Sequence, residues 1–260
     1  MDKALSSYRF NDAASVAYTH IWGKFCDWYV ELSKPLLGLE GSSEKRETQA
    51  TMAWALDQCL IILHPIMPFI TEELWMSIGS RKQMLIHEDW PEYSSLEFQN
   101  AVADREIEWV ISLIEQIRSV RSELRVPAGA KIPLLQVKVE SKFEEIIKRN
   151  KILIEKLARL SSILVIDHAP KGAVTIAVEG SEFALRISDF IDLPSEAIRL
   201  TKSIEKIKDE SVMLTGKLSN TKFIANAPEA VIIDTKERLL ELNDDLGKLA
   251  AALRRITQAG

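Results

Sequence analysis

Apolar residues recur at helical spacing through the first part of the chain. Between residues 11 and 37 they follow steps of three and four, which predicts a long helix with Asn11 as its N-cap. A second helix is predicted to begin near Ser42. A short one is predicted to start at Pro68, where proline fits the first turn. With a further helix over residues 97–125, the pattern predicts an all-α bundle.

Beyond Pro127 the pattern changes to that of a small α/β module. Alternating apolar and polar residues predict three strands, and a short apolar run predicts a fourth: residues 135–139, 174–178, 183–187 and 163–166. Helical spacing returns over residues 143–160, and Gly180-Ser181 indicates a hairpin between the last two strands. These elements predict a β-α-β-β-β module.

The last segment has the most regular periodicity of the chain. Residues 197–218 and 232–256 both follow alternating steps of three and four, with a break at residues 219–228. Two such runs predict an antiparallel coiled-coil hairpin that projects as an arm. The predicted fold is therefore mainly α, with three domains: a helical bundle over residues 1–128, the module over 129–192 and the hairpin over 193–260.

Charge narrows the classes of partner. The net charge is −5, and residues 1–100 hold eight basic and fourteen acidic residues, which argues against a generally basic nucleic-acid binder. A polyanion would have to bind to local rows of basic residues.

The only cysteines, Cys26 and Cys59, are expected to be buried free thiols, with a disulfide as the alternative. No apolar run approaches a membrane span and no signal peptide is present, so a cytoplasmic location is expected.

No catalytic constellation can be identified in the sequence. It contains neither of the glycine-rich phosphate loops, and no two of its four histidines stand at the spacing of a helical zinc pair. His64 precedes a proline at a helix break and is interpreted as structural. We therefore predict no catalytic residue and no metal site.

Three basic features are candidates for RNA contact. Arg118, Arg121 and Arg125 are predicted to lie on one helical face, where they could meet phosphates or bases; the alternative is a solvated face paired with Glu115 and Glu123.

The second feature, Arg9-Phe10-Asn11, combines a guanidinium, an aromatic ring and an amide, the groups that bind unpaired bases. Its alternative interpretation is a helix cap with a core phenylalanine.

The third feature is the set of basic residues along the predicted arm. They could contact an RNA backbone, or they could serve only solubility, as such charges usually do on heptad helices: Arg199, Lys202, Lys206, Lys208, Lys248, Arg254 and Arg255.

Several long stretches resemble one family. Residues 8–11 together with 22–35 (WGKFCDWYVELSKP), residues 64–75 (HPIMPFITEELW) and residues 117–124 (IRSVRSEL) are similar to the anticodon-binding domain of the class I valine, isoleucine and leucine aminoacyl-tRNA synthetases. In the hairpin, residues 217–220 and the helix after them look like the arm of the valyl-tRNA synthetases. The cysteine-rich zinc module common in isoleucine enzymes is absent from this sequence.

The resemblance implies a C-terminal portion that holds the anticodon stem-loop with residues 1–125 and braces the outer corner of tRNA(Val) with the hairpin. The His-x-Gly-His and Lys-Met-Ser-Lys-Ser signatures of the family's ATP site match nothing here. This fragment is therefore expected to be inactive alone and to hold no cofactor. The full-length enzyme would use ATP and Mg²⁺ to attach valine.

The resemblance and the basic features together select the candidate site residues. The anticodon set is Arg9, Phe10, Asn11, Arg118 and Arg121, with Lys24 and Arg125 as outer phosphate contacts. The arm set is Arg199, Lys202, Lys206, Arg254 and Arg255. A monomer that binds neither DNA nor membrane is expected. Two alternatives are a scaffold whose arm binds a protein, and the corresponding part of an isoleucyl- or leucyl-tRNA synthetase.

Overall fold

The computed structural model describes residues 1–92 and 100–259. They form two compact units, Met1–Arg105 and Glu106–Gly260. Residues 106–128 of the predicted first domain thus group with the second unit by their contacts, and the three-domain division stays a prediction. Residues 97–99 of the helix predicted over 97–125 lie outside the described residues.

The first unit is built of helices, as the periodicity predicts. Its α-helices are α1 (Asp2–Ser6), α2 (Phe10–His20), α3 (Glu31–Leu37), α4 (Ser43–Leu63) and α5 (Pro68–Ile78), with one 3₁₀ turn at Leu85–His87. The side chain of Ser42 accepts a hydrogen bond from the Lys45 amide at 3.0 Å, and Pro68 lies in the first turn of α5. Both predicted helix starts are therefore confirmed.

The long first helix differs from the prediction in two respects. Residues Ile21–Val30, between α2 and α3, wind as a π-helix, a form that the spacing of side chains over ten residues does not distinguish from an α-helix. The N-cap is Arg9 and not Asn11, because the helix begins at Phe10 and places Asn11 inside its first turn. The Asn11 amide instead donates to Asp12 Oδ1 at 3.1 Å.

A salt bridge and a small core hold the loop after α5 against α4. Arg81 donates to both carboxylate oxygens of Asp57, at 2.8 and 2.5 Å, and to the Trp75 carbonyl at 3.1 Å. Its guanidinium also lies 3.7 Å from the centre of the Trp75 ring. Leu60, Trp75 and Leu85 form a buried cluster beside this contact. Across the helix break, His64 Nδ1 is hydrogen-bonded to Thr71 Oγ1 at 2.9 Å, which gives it the predicted structural role.

A mixed sheet forms the centre of the second unit. Its strands are β1 (Ile132–Lys138), β2 (Leu160–Val165), β3 (Ala173–Val178) and β4 (Ser181–Arg186), in the order β2-β1-β4-β3. β1 pairs in parallel with β2 and antiparallel with β4, and β3 and β4 form the predicted hairpin. Its turn has positive φ at Glu179 and Gly180, as type I′ turns require. The predicted β-α-β-β-β order is confirmed, with strand ends shifted by a few residues.

Helices cover this sheet. The helix predicted between β1 and β2 is divided at Asn150 into α7 (Ser141–Arg149) and α8 (Lys151–Leu157). The helix α6 (Ala101–Glu123) buries an apolar stripe from Trp109 to Val120. The Trp109 ring stacks on Phe143 of α7 at 4.7 Å and meets Phe183 of β4 at 6.2 Å. These aromatic contacts join α6 to the sheet module.

The C-terminal segment is the predicted helical hairpin. Its two long helices, α9 (Leu193–Ser219) and α11 (Glu229–Ala259), pack along each other. The predicted break between them is not a plain loop, because it contains a short helix, α10 (Thr221–Asn226). At the root, Leu200 of α9 and Ala252 and Ile256 of α11 are buried, so the heptad positions form a core there.

Candidate nucleic-acid interfaces

An exposed aromatic and polar group lies at the start of α2. The Phe10 side chain is 63% exposed, and its ring meets the edge of Tyr8 at 6.3 Å. Arg9 and Asn11 flank it and are also exposed; Arg9 pairs with Asp12 at 3.1 Å. The alternative of a core phenylalanine is therefore wrong. Tyr8, which we did not predict as a site residue, adds a second exposed ring, and its place beside Arg9-Phe10 could have indicated it.

A second exposed aromatic pair follows on the same continuous helix. Tyr18 of α2 and Trp22 of the π-helical segment stack with nearly parallel rings at a centroid distance of 6.3 Å, and both are exposed. Lys24, the predicted outer phosphate contact, lies two residues further and is also exposed. The first unit thus presents two exposed aromatic pairs.

The three arginines at the end of α6 do not form the predicted row. The helix ends at Glu123, so Arg125 lies beyond it, exposed and with a φ of 49°. Arg118 is exposed and donates from Nε to the Leu157 carbonyl at 3.0 Å. Glu123, offered as a partner of this face, instead pairs with Arg255.

Arg121 is buried, with 8% of its surface exposed. Its guanidinium donates to the carbonyl oxygens of Ala130 at 2.8 Å, Pro127 at 3.4 Å and Arg159 at 3.5 Å. Burial lowers the pKa of this guanidinium from its ordinary value, and the nearby charge of Arg159 lowers it further. Arg121 therefore holds two turns together, a role that its spacing from the apolar stripe did not indicate.

A pocket of about 320 Å³ opens beside these arginines in the second unit. It is lined by the end of α6, the turn after it and the turn between α8 and β2: Arg118, Arg121, Ser122, Val126, Ala128, Leu157, Ala158 and Arg159. Arg159 is exposed, and its Nη1 donates to the Ala128 carbonyl. Arg159 was not predicted as a site residue because it stands alone between the apolar residues Ala158 and Leu160.

The five arm residues predicted to contact tRNA fall into two groups. Arg199 donates to the Glu123 carbonyl at 3.4 Å and Arg255 pairs with the Glu123 carboxylate, so both hold the root of the hairpin. Arg199 is also bound by the Glu196 carboxylate of its own helix at 2.5–2.9 Å. Lys202, Lys206 and Arg254 are exposed on the helices. Among the described residues, the side chains of this second group make no ion pair, and the same holds for Lys208 and Lys248, which are also exposed.

Within residues 1–92 and 100–259, no group of three or more histidine, cysteine, aspartate or glutamate side chains is arranged to hold a metal ion. No helix in the described part of the chain combines the length and apolar character that crossing a bilayer requires. Both cysteines are free thiols; Cys59 is buried as predicted, whereas Cys26 is only partly buried. Burial, with a smaller contribution from Cys26, raises the pKa of Cys59 to about 11.

Comparison with known proteins connects these surfaces to one family. Residues 1–139 match the anticodon-binding domain of tRNA ligases, and residues 192–257 match the valyl tRNA synthetase tRNA binding arm. The chain is 48% identical over 258 residues to a valine–tRNA ligase of Cereibacter sphaeroides and 46% identical over 260 residues to one of Ruegeria pomeroyi. These matches cover 99% and 100% of this chain but 26% of each relative.

The two matched regions include all of the first unit and both ends of the second. The first contains the exposed group around Phe10 and the arginines of α6, and the second contains the hairpin except for the last residues of α11. The chain spans about a quarter of the length of these relatives. It therefore belongs to the family of the anticodon-binding domain of tRNA ligases, and it carries the tRNA-binding arm of the valyl-tRNA synthetases at its C-terminal end.

Proposed function

We propose that this chain is the tRNA-binding C-terminal portion of a valine–tRNA ligase, with its first unit on the anticodon stem-loop and its hairpin on the tRNA body. One observation carries the proposal: Phe10, flanked by Arg9 and Asn11, is exposed at the start of α2 inside the region that matches the anticodon-binding domain. A large ring exposed between two polar side chains is costly to solvate and is suited to stacking.

The chemistry of this group suits an unpaired anticodon. An exposed phenylalanine offers a flat face on which a base can stack, a contact that contributes about 1–3 kcal/mol per base. The Asn11 amide can both donate to and accept from a base edge, and Arg9 can exchange its exposed contact with Asp12 for a phosphate. The three side chains together supply stacking, edge recognition and charge neutralisation.

The contribution to catalysis is positioning. Binding energy gathered at the anticodon and along the tRNA body orients the distant acceptor end, which converts affinity into reaction geometry. On this proposal the full-length protein joins valine to tRNA(Val) with ATP and Mg²⁺, and this chain supplies no catalytic residue. Lys202, Lys206 and Arg254 serve as backbone contacts of the arm. We further propose that it works as a monomer in the cytoplasm.

Binding of anticodon stem-loops tests the proposal. The parent chain and a Phe10→Ala variant are titrated with fluorescently labelled stem-loops of valine-, isoleucine- and leucine-accepting tRNAs at low salt. We expect the valine stem-loop to bind most tightly, and Phe10→Ala to weaken it by about 5- to 150-fold, the loss of one stacked base. The matched control is Phe69→Ala, which removes an equally large ring that is 90% exposed at the start of α5.

The possible results separate three conclusions. Equal effects of Phe10→Ala and Phe69→Ala would remove the special role of Phe10. Equal affinity for the three stem-loops would remove the assignment to valine. Failure of the parent chain to bind any stem-loop at low salt would overturn the proposed function.

A second candidate is a scaffold whose arm binds another protein. It is favoured by large apolar side chains that are exposed on the hairpin, among them Val212, Met213 and Leu240. Salt separates the candidates, because RNA binding weakens steeply as ionic strength rises whereas an apolar interface does not. A chain that binds no tRNA(Val) even at low salt, but whose hairpin holds a protein partner at high salt, would favour the scaffold.

A further inference from the structure

The pocket at the end of α6 brings three guanidinium groups to one small volume. Arg118 and Arg121 reach it from α6, and Arg159 reaches it from the turn between α8 and β2. None of the eight described residues that line the pocket is acidic. Like charges placed together in a concave surface repel one another and create a local positive potential, which an anion would relieve.

Backbone contacts fix these cations in place. Arg159 adopts a φ of 54°, in the left-handed region that is unfavourable for a residue with a side chain, and its guanidinium is bonded to the Ala128 carbonyl. Arg118 and Arg121 are held by carbonyl oxygens of the same two turns. The side chains are therefore already ordered, which reduces the entropy that binding would cost.

The remaining N–H donors of Arg159 suit an oxyanion. A guanidinium carries five N–H groups, and the one hydrogen bond that Arg159 donates runs from Nη1 to the Ala128 carbonyl. The guanidinium fork matches the geometry of phosphate oxygens, and the Ser122 hydroxyl at the pocket adds a further donor. The volume of about 320 Å³ is at the lower end for ligand pockets, the size of a nucleotide fragment.

We propose that Arg118, Arg121 and Arg159 form a phosphate-binding pocket that takes one phosphodiester group of the bound RNA. The inference rests on the proposed function, since it assigns to the second unit a defined contact with the same tRNA. It makes Arg159 a binding residue and gives Arg121 a double role, as the support of two turns and as a buried positive charge behind the phosphate.

Arg159→Gln is the most direct test, because it removes the charge from an exposed side chain and leaves a long polar one. The probe is a valine-accepting tRNA transcript, titrated at several salt concentrations. The matched control is Lys171→Gln, which removes one charge from an exposed residue of the turn before β3, at the opposite edge of the sheet from β2. Arg118→Gln is a second pocket variant, and Arg159→Lys keeps the charge without the fork.

We expect Arg159→Gln to weaken tRNA binding by about five- to tenfold near 0.1 M salt and to reduce the slope of log K against log salt by about 0.7–0.9, the loss of one phosphate contact. Lys171→Gln should change neither quantity, and Arg159→Lys should keep most of the slope. Thermal unfolding of each variant is measured alongside. If Arg159→Gln does not fold, Arg118→Gln carries the same expectation.

The outcomes distinguish this inference from the proposed function. A parent chain that does not bind the transcript refutes the proposed function itself. Parental affinity and slope in Arg159→Gln or Arg118→Gln, with binding by the parent intact, refute only the pocket. A slope that Arg159→Lys fails to restore assigns Arg159 a structural role and also overturns the inference. Inorganic phosphate is also titrated by calorimetry. If Arg159→Gln abolishes phosphate binding but leaves tRNA binding unchanged, the pocket binds free anions and the inference is overturned.

Discussion

Arg255, close to the end of α11, donates a hydrogen bond to the carboxylate of Glu123 at the end of α6, 132 residues earlier in the chain. Both side chains are largely removed from solvent. The main-chain oxygen of Glu123 also accepts a hydrogen bond from Arg199 of α9 at 3.4 Å. A single residue of α6 therefore contacts both helices of the hairpin at its root.

This contact predicts a selective loss of stability in Glu123→Gln. Removing the carboxylate leaves the half-buried Arg255 without its charged partner, which should cost about 1–2 kcal/mol of unfolding free energy. Urea denaturation of the second unit, followed by circular dichroism, measures the loss. Glu210→Gln is the control, since its partner Arg238 is an exposed residue of α11 at 3.0 Å and little change is expected. Equal losses in the two variants would contradict this role of Glu123.

Arg81 should not be replaceable by lysine. Lysine keeps the charge near Asp57 but cannot make two parallel hydrogen bonds or stack flat on the Trp75 ring. We expect Arg81→Lys to lower the unfolding free energy of the first unit by about 1–2 kcal/mol, and Arg81→Ala by about 2–4 kcal/mol. Chemical denaturation checks this, with Lys82→Ala as the exposed neighbour that should have little effect. Full stability in Arg81→Lys would show that only the charge matters.

Trp109 allows the packing of an aromatic ring in the core to be compared with the cost of burying its indole N–H. It is 1% exposed, and its indole N–H has no hydrogen-bond partner among the described residues. Trp109→Ala should cost about 3–5 kcal/mol through the cavity it leaves between Phe143 and Phe183. Trp109→Phe should cost markedly less, because it keeps an aromatic ring and removes an unsatisfied donor. Thermal unfolding of the two variants should differ accordingly, and similar losses would argue that the indole nitrogen is bonded.

We expect Glu106 to make the unfolding free energy of the second unit fall as the pH is lowered into the acid range. Hydrogen bonds from Arg149, at 2.6 and 3.2 Å, lower the pKa of its carboxyl group; burial acts in the opposite direction, and Asn150 donates a further bond at 2.7 Å. The pKa of this carboxyl group is lower in the folded state than in the unfolded chain, where it is about 4.3. The carboxylate therefore stabilises the fold at pH values above that unfolded-state pKa. That contribution disappears as the pH falls through the folded pKa.

The measurement is urea denaturation of the parent chain and Glu106→Gln between neutral pH and about pH 3. The two proteins should differ most at neutral pH and converge in acid. Glu40→Gln is the control. Lys45 also lowers the pKa of that carboxyl group, but the pair is exposed and lies in the first unit, so a smaller effect of the substitution on stability is expected. A difference that stays constant with pH would show that the charge of Glu106 is unimportant.

Elements with a strong period could be predicted from the sequence, and irregular ones could not. The alternation at Val174, Ile176 and Val178 correctly predicted a strand whose side chains alternate between core and solvent. The π-helical winding of Ile21–Val30 and the short helix α10 were missed, because neither changes the pattern of apolar residues enough to be recognised.

The candidate site shows the same limit. Arg9, Phe10 and Asn11 are neighbours in sequence, so their joint exposure could be anticipated from a single stretch. Arg159 lies 38 residues after Arg121, and only the pairing of β1 with β2 brings their turns together. Sequence spacing also suggested that Arg121 faces a ligand directly, whereas burial turns its donors to carbonyl oxygens.

Both hairpin helices are bonded to Glu123, so a change in this contact on α6 would change the angle at which the hairpin leaves the second unit. The 31 residues of α11 correspond to a length of about 46 Å at the usual rise per residue, so a tilt of about 5° at this contact would displace the far end by about 4 Å. Substitutions at Glu123 would therefore shift the far end of the hairpin without changing the exposed cations that are proposed to contact the tRNA.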